Sequence, residues 1–468
     1  MTSAQNHLQP LNGNKFIRFF FIWVIFLAGC NALKKTTKPP EKKPDDLPVK
    51  GEKVKVYDPV TGQWIEKSVL EFVVDTVQWT EIKGDLITND DLEINPVRVG
   101  KDQIKVALFL PLNTPKINTE GGTSMTTRVD KFLQFYAGCV LGVRKLEEEG
   151  VRTHLKVFDT EENNDKMDRI LQDGFSAQAD LFVGPYWRAS IEQTVPIAKN
   201  LRTPLITPWN TFTQLGNQNP YLIFPSPSFE TIAEFTMREI SRRHPTGTIY
   251  VVTKIGDEYL MDYYRNLVQE PQQLINLKVT DKTMDMEKTI LDSLMSDDDD
   301  NVFIIPYFRD QDLKFVYSFL RKIRALPGTF KCTVYGLPQW KSLLDVDPEL
   351  FNSAEILLVT NGLLDKKHPD YLKFKKDIIA EYGILPNEDA FQGYDLMVYF
   401  GKLLASQGKD FYRVFSDLSS SGGLFYQFHF LPVFKDNEHI RIPYDIQYFI
   451  NKNLLLAKVR NYELEVQH

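Results

Sequence analysis

Seven histidines, three cysteines and a run of four aspartates are the residues on which reaction or metal chemistry could be built, and their spacing supports neither. His7, His154, His244, His368, His429, His439 and His468 stand singly, and no His-Glu-x-x-His pair sets two imidazoles on one helix face. A Gly-x-Ser-x-Gly elbow and a Gly-x-x-x-x-Gly-Lys-Ser/Thr phosphate loop are both missing. Asp297 to Asp300 follow one another without the alternation and turn glycine of a calcium loop, so they read as a solvated segment before a strand. No enzymatic activity, cofactor or metal is expected. What remains is recognition by charged, hydroxyl and aromatic groups.

The chemistry at the start of the chain is different. Lys15 and Arg18 precede an apolar run from Phe19 to Gly29, too short to cross a bilayer core that needs about 20 helical residues. A basic start, a short apolar centre and small residues before a cut describe a secretory signal peptide. Leu27-Ala28-Gly29-Cys30 resembles the lipobox of bacterial lipoproteins, which implies cleavage before Cys30 and acylation of its thiol. Several acyl chains hold a protein on a membrane durably, as each buried methylene contributes about 0.8 kcal/mol. Asn31 after the cysteine resembles an outer-membrane sorting pattern, so the expected address is the cell envelope, on the periplasmic side of the outer membrane.

A net charge of −7 argues against a nucleic-acid partner, and 43% apolar residues is ordinary for a globular chain. Some 440 residues after the cysteine exceed the size at which one core stops growing, so two domains are expected. Cys139 and Cys332 lie in apolar stretches and read as buried hydrophobes, with a single bridge between them as the alternative.

Residues 30–53, rich in Lys, Pro and Thr, have the composition of a disordered tether. Residues 54–100 open on alternating apolar and polar positions with a turn signal at Asp58-Pro59 to Gly62, a small β-hairpin region. From Ile104 the texture changes to strands alternating with helices. "IKVALFLPL" reads as a parallel strand covered on both faces, and Val129 to Leu146 as an amphipathic helix closed at Gly150. "HLKVFDT", "DLFVGP" and "TPLITP" continue the series. After the prolines of "NPYLIFPSPS" a second series begins: "TIYVVTKIGD", a helix around Tyr259 to Val268, "NVFIIPYF", a helix around Leu313 to Ile323, and "CTVYGLP". Helices from about Pro369 to Leu404 and short strands "YDIQYFI" and "LLLAKV" complete the chain. The class is α/β, built of βαβ units in two lobes.

These segments, in this order, together with "DLFVGPYWRAS", "TPLITPWNT" and "EYGILPNEDAFQGYDLMVYF", resemble type I periplasmic binding proteins over about residues 101–460. In particular they resemble the branched-chain amino-acid-binding group of ABC-transporter substrate-binding proteins. The resemblance implies two Rossmann-like lobes joined by a three-segment hinge and closing on a small ligand. Residues 101–221 and 361–425 are assigned to lobe 1, and 222–360 and 426–468 to lobe 2. Open α/β sheets bind ligands beyond the carboxyl ends of their strands. The corresponding loops are 113–116, 160–162, 185–190, 207–211, 254–259, 307–309 and 337–340. Arg188, Ser190, Thr207, Trp209, Asn210, Thr211, Lys254, Tyr307 and Gln339 are the candidate ligand-binding residues.

The resemblance implies small hydroxyl residues after the third and fourth strands to hold a carboxylate, and an acid in the second lobe to hold an ammonium. Here Tyr186, Trp187 and Arg188 stand where small residues are expected, Trp209 and Asn210 interrupt the second loop, and Gln339 stands near the place of the acid. Either the cleft takes another ligand, anionic or aromatic, held by Arg188, Lys254, Trp187 and Trp209, or bulky side chains fill it. The expected function is a lipid-anchored solute-binding protein that captures an amino-acid-like or anionic ligand for an ABC transporter permease or a sensor. The alternative is a non-transport lipoprotein that binds a cell-envelope protein with the same scaffold, as penicillin-binding-protein activators do.

Overall fold

The computed structural model describes residues 53–58, 63–68, 103–116 and 127–467, the last without 269–271, 280–290, 297–298, 327–329, 353, 416–417, 419–420, 436–445 and 461–462. The signal peptide, Cys30, the tether up to residue 52 and most of the 54–100 region lie outside the described residues. Among the described residues no helix is long and apolar enough to cross a membrane. Strands β1 (Lys53–Asp58) and β2 (Gln63–Ser68) form an antiparallel hairpin, in register from Lys53 opposite Ser68 to Asp58 opposite Gln63.

The main body holds two seven-stranded sheets. In the first, β3 (Ile104–Leu110) lies between β4 (Thr153–Asp159) and β5 (Leu181–Val183), followed by β6 (Leu205–Ile206) and β7 (Leu222–Phe224). In the second, β8 (Thr248–Lys254) lies between β9 (Gln273–Val279) and β10 (Asn301–Ile304), followed by β11 (Cys332–Gly336) and β12 (Glu355–Thr360). All of these pair in parallel.

The apolar runs explain the layers. Ile104, Val106, Leu108 and Leu110 enter one core of the first lobe, while Ala107 and Phe109 enter another on the opposite face. In β8, Tyr250 and Val252 face one core and Ile249 and Val251 the other. A strand buried on both sides needs such a run, and each large side chain buried contributes about 1.5–3 kcal/mol.

Strands β13 (Ser421–Gly422) and β14 (Gln427–Phe428) form a small antiparallel pair, and the four strands after them, together with β7, set lobe limits that differ from those expected. Strand β15 (Phe430–Phe434) pairs antiparallel with β16 (Ile446–Asn451), which continues the first sheet in parallel beside β7; β17 (Leu455–Arg460) and β18 (Glu463–Gln467) complete the second sheet. Residues 222–224, 430–434 and 446–451 therefore sit in the first sheet, not the second. Their aromatic rings decide this, because Phe430 and Phe449 bury into the same core as Phe400 and Phe415. The chain crosses between sheets after Phe224, after Thr360 and after Asn451.

Two further expectations change. The helix expected around Tyr259 to Val268 is only a 3-10 turn at Glu258–Met261 and a single α-turn at Asp262–Arg265, closed by Asn266. Strand β9 was not anticipated: it is an edge strand, half exposed, so its apolar signal is diluted by polar positions. Cys139 and Cys332 are free, and burial raises both thiols, that of Cys332 to about 11.

The helices relevant to the site are α1 (Thr127–Glu148), α2 (Asn164–Leu171), α3 (Arg188–Leu201), α4 (Phe229–Arg243), α5 (Leu313–Arg324), α6 (Tyr371–Tyr382) and α7 (Glu388–Gln407). Helices α1 and α7 pack through glycine. A Cβ on Gly138 would lie 1.9 Å from the Ala390 carbonyl oxygen, and one on Gly393 would lie 2.2 Å from that of Phe135. Backbone therefore meets backbone at both points. Gly393→Ala is expected to cost about 1–3 kcal/mol, as overpacking of a close-packed contact does. Gly174→Ala, where a Cβ meets nothing within 4 Å, should change little. Thermal unfolding of the two variants checks this; equal melting temperatures would show that the seam is not tight.

Candidate functional site

In the first lobe the loops at the carboxyl ends of the strands are tied to one another. Asp159 accepts the Asn113 amide at 3.0 Å and the Thr114 amide and hydroxyl at 2.8 Å each. Burial alone would raise its carboxyl, but donors from Thr114, Glu161 and Asn113 outweigh that and hold it below the usual carboxylate range. Gly184 has φ +85°, and a Cβ there would meet the Phe109 carbonyl oxygen at 2.3 Å, so the turn out of β5 requires glycine.

The hydroxyl and amide candidates that follow are mostly occupied by their own loops. Thr207 Oγ1 donates to the Asn210 carbonyl at 3.0 Å, Asn210 Nδ2 to the Tyr186 carbonyl at 2.6 Å, and Thr211 Oγ1 to the Ser226 carbonyl at 2.8 Å. Ser190 is buried in the first turn of α3, and its Oγ has no partner among the described residues.

The cationic candidates are neutralised. Arg188 is paired with Glu192 one helical turn on, Nε to Oε1 at 2.8 Å, and lies over the Phe212 ring. Lys254 Nζ reaches Asp312 Oδ1 at 2.5 Å and sits over the rings of Tyr307 and Phe315, at 4.8 and 5.1 Å. Tyr307 is a strut: its hydroxyl donates to Asp257 at 3.1 Å and accepts the Lys254 amide at 2.7 Å, and its carbonyl accepts the Trp340 indole N–H at 2.8 Å. Burial raises the Tyr307 phenol well above its ordinary value. These groups organise the second lobe's loops internally.

Where the two lobes face each other there is a cavity of ≈ 440 Å³. Its wall is Pro338, Gln339, Lys341, Ser342, Leu344 and Asp345 of the second lobe and Glu388 of α7 in the first. Gln339 is exposed here, the one sequence candidate among those lining residues. Lys341 and Glu388 form an ion pair across the lobes.

Sequence reasoning missed a second group on the first lobe. Phe132, Phe135, Tyr186 and Trp209 pack edge to face and tilted, with ring centroids 4.7–5.7 Å apart. The Lys131 ammonium lies 5.7 Å from the Tyr186 ring and 5.9 Å from the Trp209 ring. Trp209 Nε1 is buried without a partner among the described residues. Asp389, next to Glu388 at the start of α7, is near enough to feel Lys131. Burial pushes its carboxyl up to about 6, Lys131 pulls the other way, and Glu388 and Asp130 add to the rise. The signal for Asp389 was present as Asn387, a side-chain N-cap accepting the Asp389 and Ala390 amides at 2.9 and 3.3 Å. Nothing in the local sequence marks Lys131.

No protein-family model matches the chain, and no curated protein matches it in sequence. Solved structures do match in fold. An ABC transporter substrate-binding protein from Desulfitobacterium hafniense superposes with a TM-score of 0.51 at 16% identity, covering 78% of this chain and 100% of its own. A branched-chain amino acid ABC transporter periplasmic ligand-binding protein from Burkholderia xenovorans gives 0.55 at 11% identity, covering 78% and 95%. An ABC transporter substrate-binding protein from Sphaerobacter thermophilus gives 0.51 at 14%, covering 78% and 97%. With its two sheets and three crossovers, the chain has the type I periplasmic binding protein fold.

The raised Asp389 carboxyl gives a pH dependence. Its folded-state value of about 6 lies above the roughly 3.9 of an unfolded aspartate, so the native state holds the proton more tightly. The stabilisation is complete below about pH 4 and is lost as pH rises through 6. Denaturant unfolding of wild type and Asp389→Asn is expected to show wild type losing ground to the variant across this window. A constant difference would contradict it.

Proposed function

We propose that this chain is a lipid-anchored solute-binding protein of the cell envelope, held through Cys30 on the periplasmic side of the outer membrane, and that it captures a small ligand between its lobes for an ABC transporter or a sensor. The observation that carries this reading is the ≈ 440 Å³ cavity between the lobes, bordered by loops at strand carboxyl ends and bridged by the Lys341–Glu388 pair. Pockets of about 300–1,000 Å³ suit small ligands. The three crossovers form a hinge, and a ligand that touches both lobes favours the closed population by its differential affinity. The fold neighbours are ABC transporter substrate-binding proteins, which supports the same role. Exposed ion pairs such as Lys341–Glu388 contribute only about 0–1 kcal/mol, so the pair can open and reform.

One observation favours the second reading, a protein-binding lipoprotein. Tyr186 and Trp209 occupy the strand ends of the first lobe with rings packed into its core, leaving less room for a solute. Calorimetry and thermal shift with amino acids and small carboxylates separate the two, with small-angle scattering as the readout of closure. Binding together with a smaller radius of gyration is expected. If no member of the panel stabilises the protein, solute capture is rejected in favour of a protein partner. Independently, Cys30→Ser should move the protein from the membrane fraction to the soluble fraction and abolish palmitate incorporation; unchanged membrane association would remove the anchor.

A further inference from the structure

Helix α6 turns a basic and apolar face away from the protein. Its inward side is set by Phe374 and Ile378, buried in the first lobe's core, and by Glu381, whose carboxylate meets Arg144 of α1 at 2.5 Å. At about 100° per residue, Leu372, Lys376 and Ile379 then lie on the opposite side, with Lys373 and Lys375 on its flanks. Leu372 is 72% exposed and Ile379 40% exposed. A single exposed aliphatic side chain carries no information, but two that stand two turns apart among lysines form a stripe. The acids of the same segment are engaged on the α1 side. Asp370 meets Lys145 at 3.3 Å, Glu381 meets Arg144, and Asp377 lines a groove with Arg144 and Lys145. Lys366 and Lys373 are paired, with Glu463 and Glu148. Among the described residues, Lys367, Lys375 and Lys376 have no carboxylate within ion-pair distance.

We propose that the outer face of α6, with Leu372, Lys375, Lys376 and Ile379, is a docking surface for an anionic lipid bilayer, which lays the first lobe on the membrane. The charge argument is local. The whole chain carries −7 and is repelled by an anionic surface, but at physiological salt interactions are screened beyond about 8 Å. Orientation is therefore decided by the face that brings cations without acids into that layer, and α6 does so. Each lysine held there strengthens binding roughly fivefold, and the aliphatic side chains between the lysine stems reach the acyl boundary. The face is the convex side of one helix, which suits an interface plane, whereas a partner helix is gripped in a groove. The inference goes beyond solute capture and uses neither the cleft nor the acyl anchor.

The test is co-sedimentation with vesicles, on the mature chain carrying Cys30→Ser so that no acyl chain contributes. The protein is expected to bind vesicles of equal parts phosphatidylglycerol and phosphatidylcholine and to ignore pure phosphatidylcholine. Release is expected at about 1 M salt, where the screening length falls to about 3 Å. Lys375→Gln with Lys376→Gln should weaken binding at least about tenfold. Leu372→Ser with Ile379→Ser should weaken it at least about fourfold, the worth of one buried methylene. Lys314→Gln with Lys331→Gln, an equal change of charge at exposed positions of the second lobe, should leave it unchanged. A polarity-sensitive dye on Leu372→Cys should shift to the blue on anionic vesicles, and one on Lys314→Cys should not, with the unsubstituted chain as blank. This readout does not depend on the folding of the double variants. The proposal is overturned if the protein ignores the anionic vesicles, if it binds both vesicle types equally, or if the second-lobe pair matters as much as the α6 pair. Retention on polyglutamate beads through Lys375 and Lys376 without vesicle binding would assign the face to an acidic protein segment, which also overturns it. Any of these results leaves solute capture and the anchor standing.

Discussion

The contact on which the first lobe depends is the glycine-lined seam between α1 and α7. Gly138 and Gly142 of α1 face Ala390, Tyr394 and Met397, while Gly393 and Gly401 of α7 face Phe135 and Leu146. Removing side chains at these points lets two long helices approach at backbone distance, and everything at their N-terminal ends is placed by that approach. Lys131 sits near the start of α1, and Glu388 and Asp389 at the start of α7. The group over the aromatic rings and the group that reaches the other lobe are positioned by the same seam.

A second constraint fixes α7 from its other side. The Asp395 carboxylate is buried and accepts the Leu424, Phe425 and Tyr426 amides at 2.8, 2.7 and 2.8 Å. Burial pushes its carboxyl up to about 7 against those donors, which hold the charged form. Gly423 approaches so closely that a Cβ would meet the carboxylate at 2.4–2.5 Å. In this way the Gly-Tyr-Asp segment that draws attention in the sequence is a structural clamp, which pins the segment before β15 to the helix. Its distance from the cleft chemistry is a matter of which face of α7 each residue takes.

Charge in this protein is organised mainly by local pairing. Lys254 with Asp312 and Tyr307 with Asp257 stiffen the second lobe's loops, and Asp300, the last of the four consecutive acids, accepts buried His244 Nδ1 at 2.9 Å. A cation in a cleft loop is therefore a poor guide to ligand recognition until its partner is known.

The sequence by itself determined the α/β class, the two successive series and most strand positions, because a strand buried on both faces requires a continuous apolar run and a covering helix requires apolar residues three and four apart. The resemblance of Leu27 to Cys30 to a lipobox is likewise a reading of sequence alone. The tertiary structure decided what periodicity does not encode. Strand β9 lies half exposed at an edge, where burial imposes no strong pattern, and β15 and β16 join the first sheet through rings drawn from distant helices. The Arg188–Glu192 pair was legible as residues four apart, whereas Lys254 and Asp312 lie 58 residues apart and meet only because adjacent parallel strands end side by side. Lys131 belongs to the same category: its helix position is plain from sequence, but the rings beneath it come from loops after β5 and β6, and only the folded sheet brings them together.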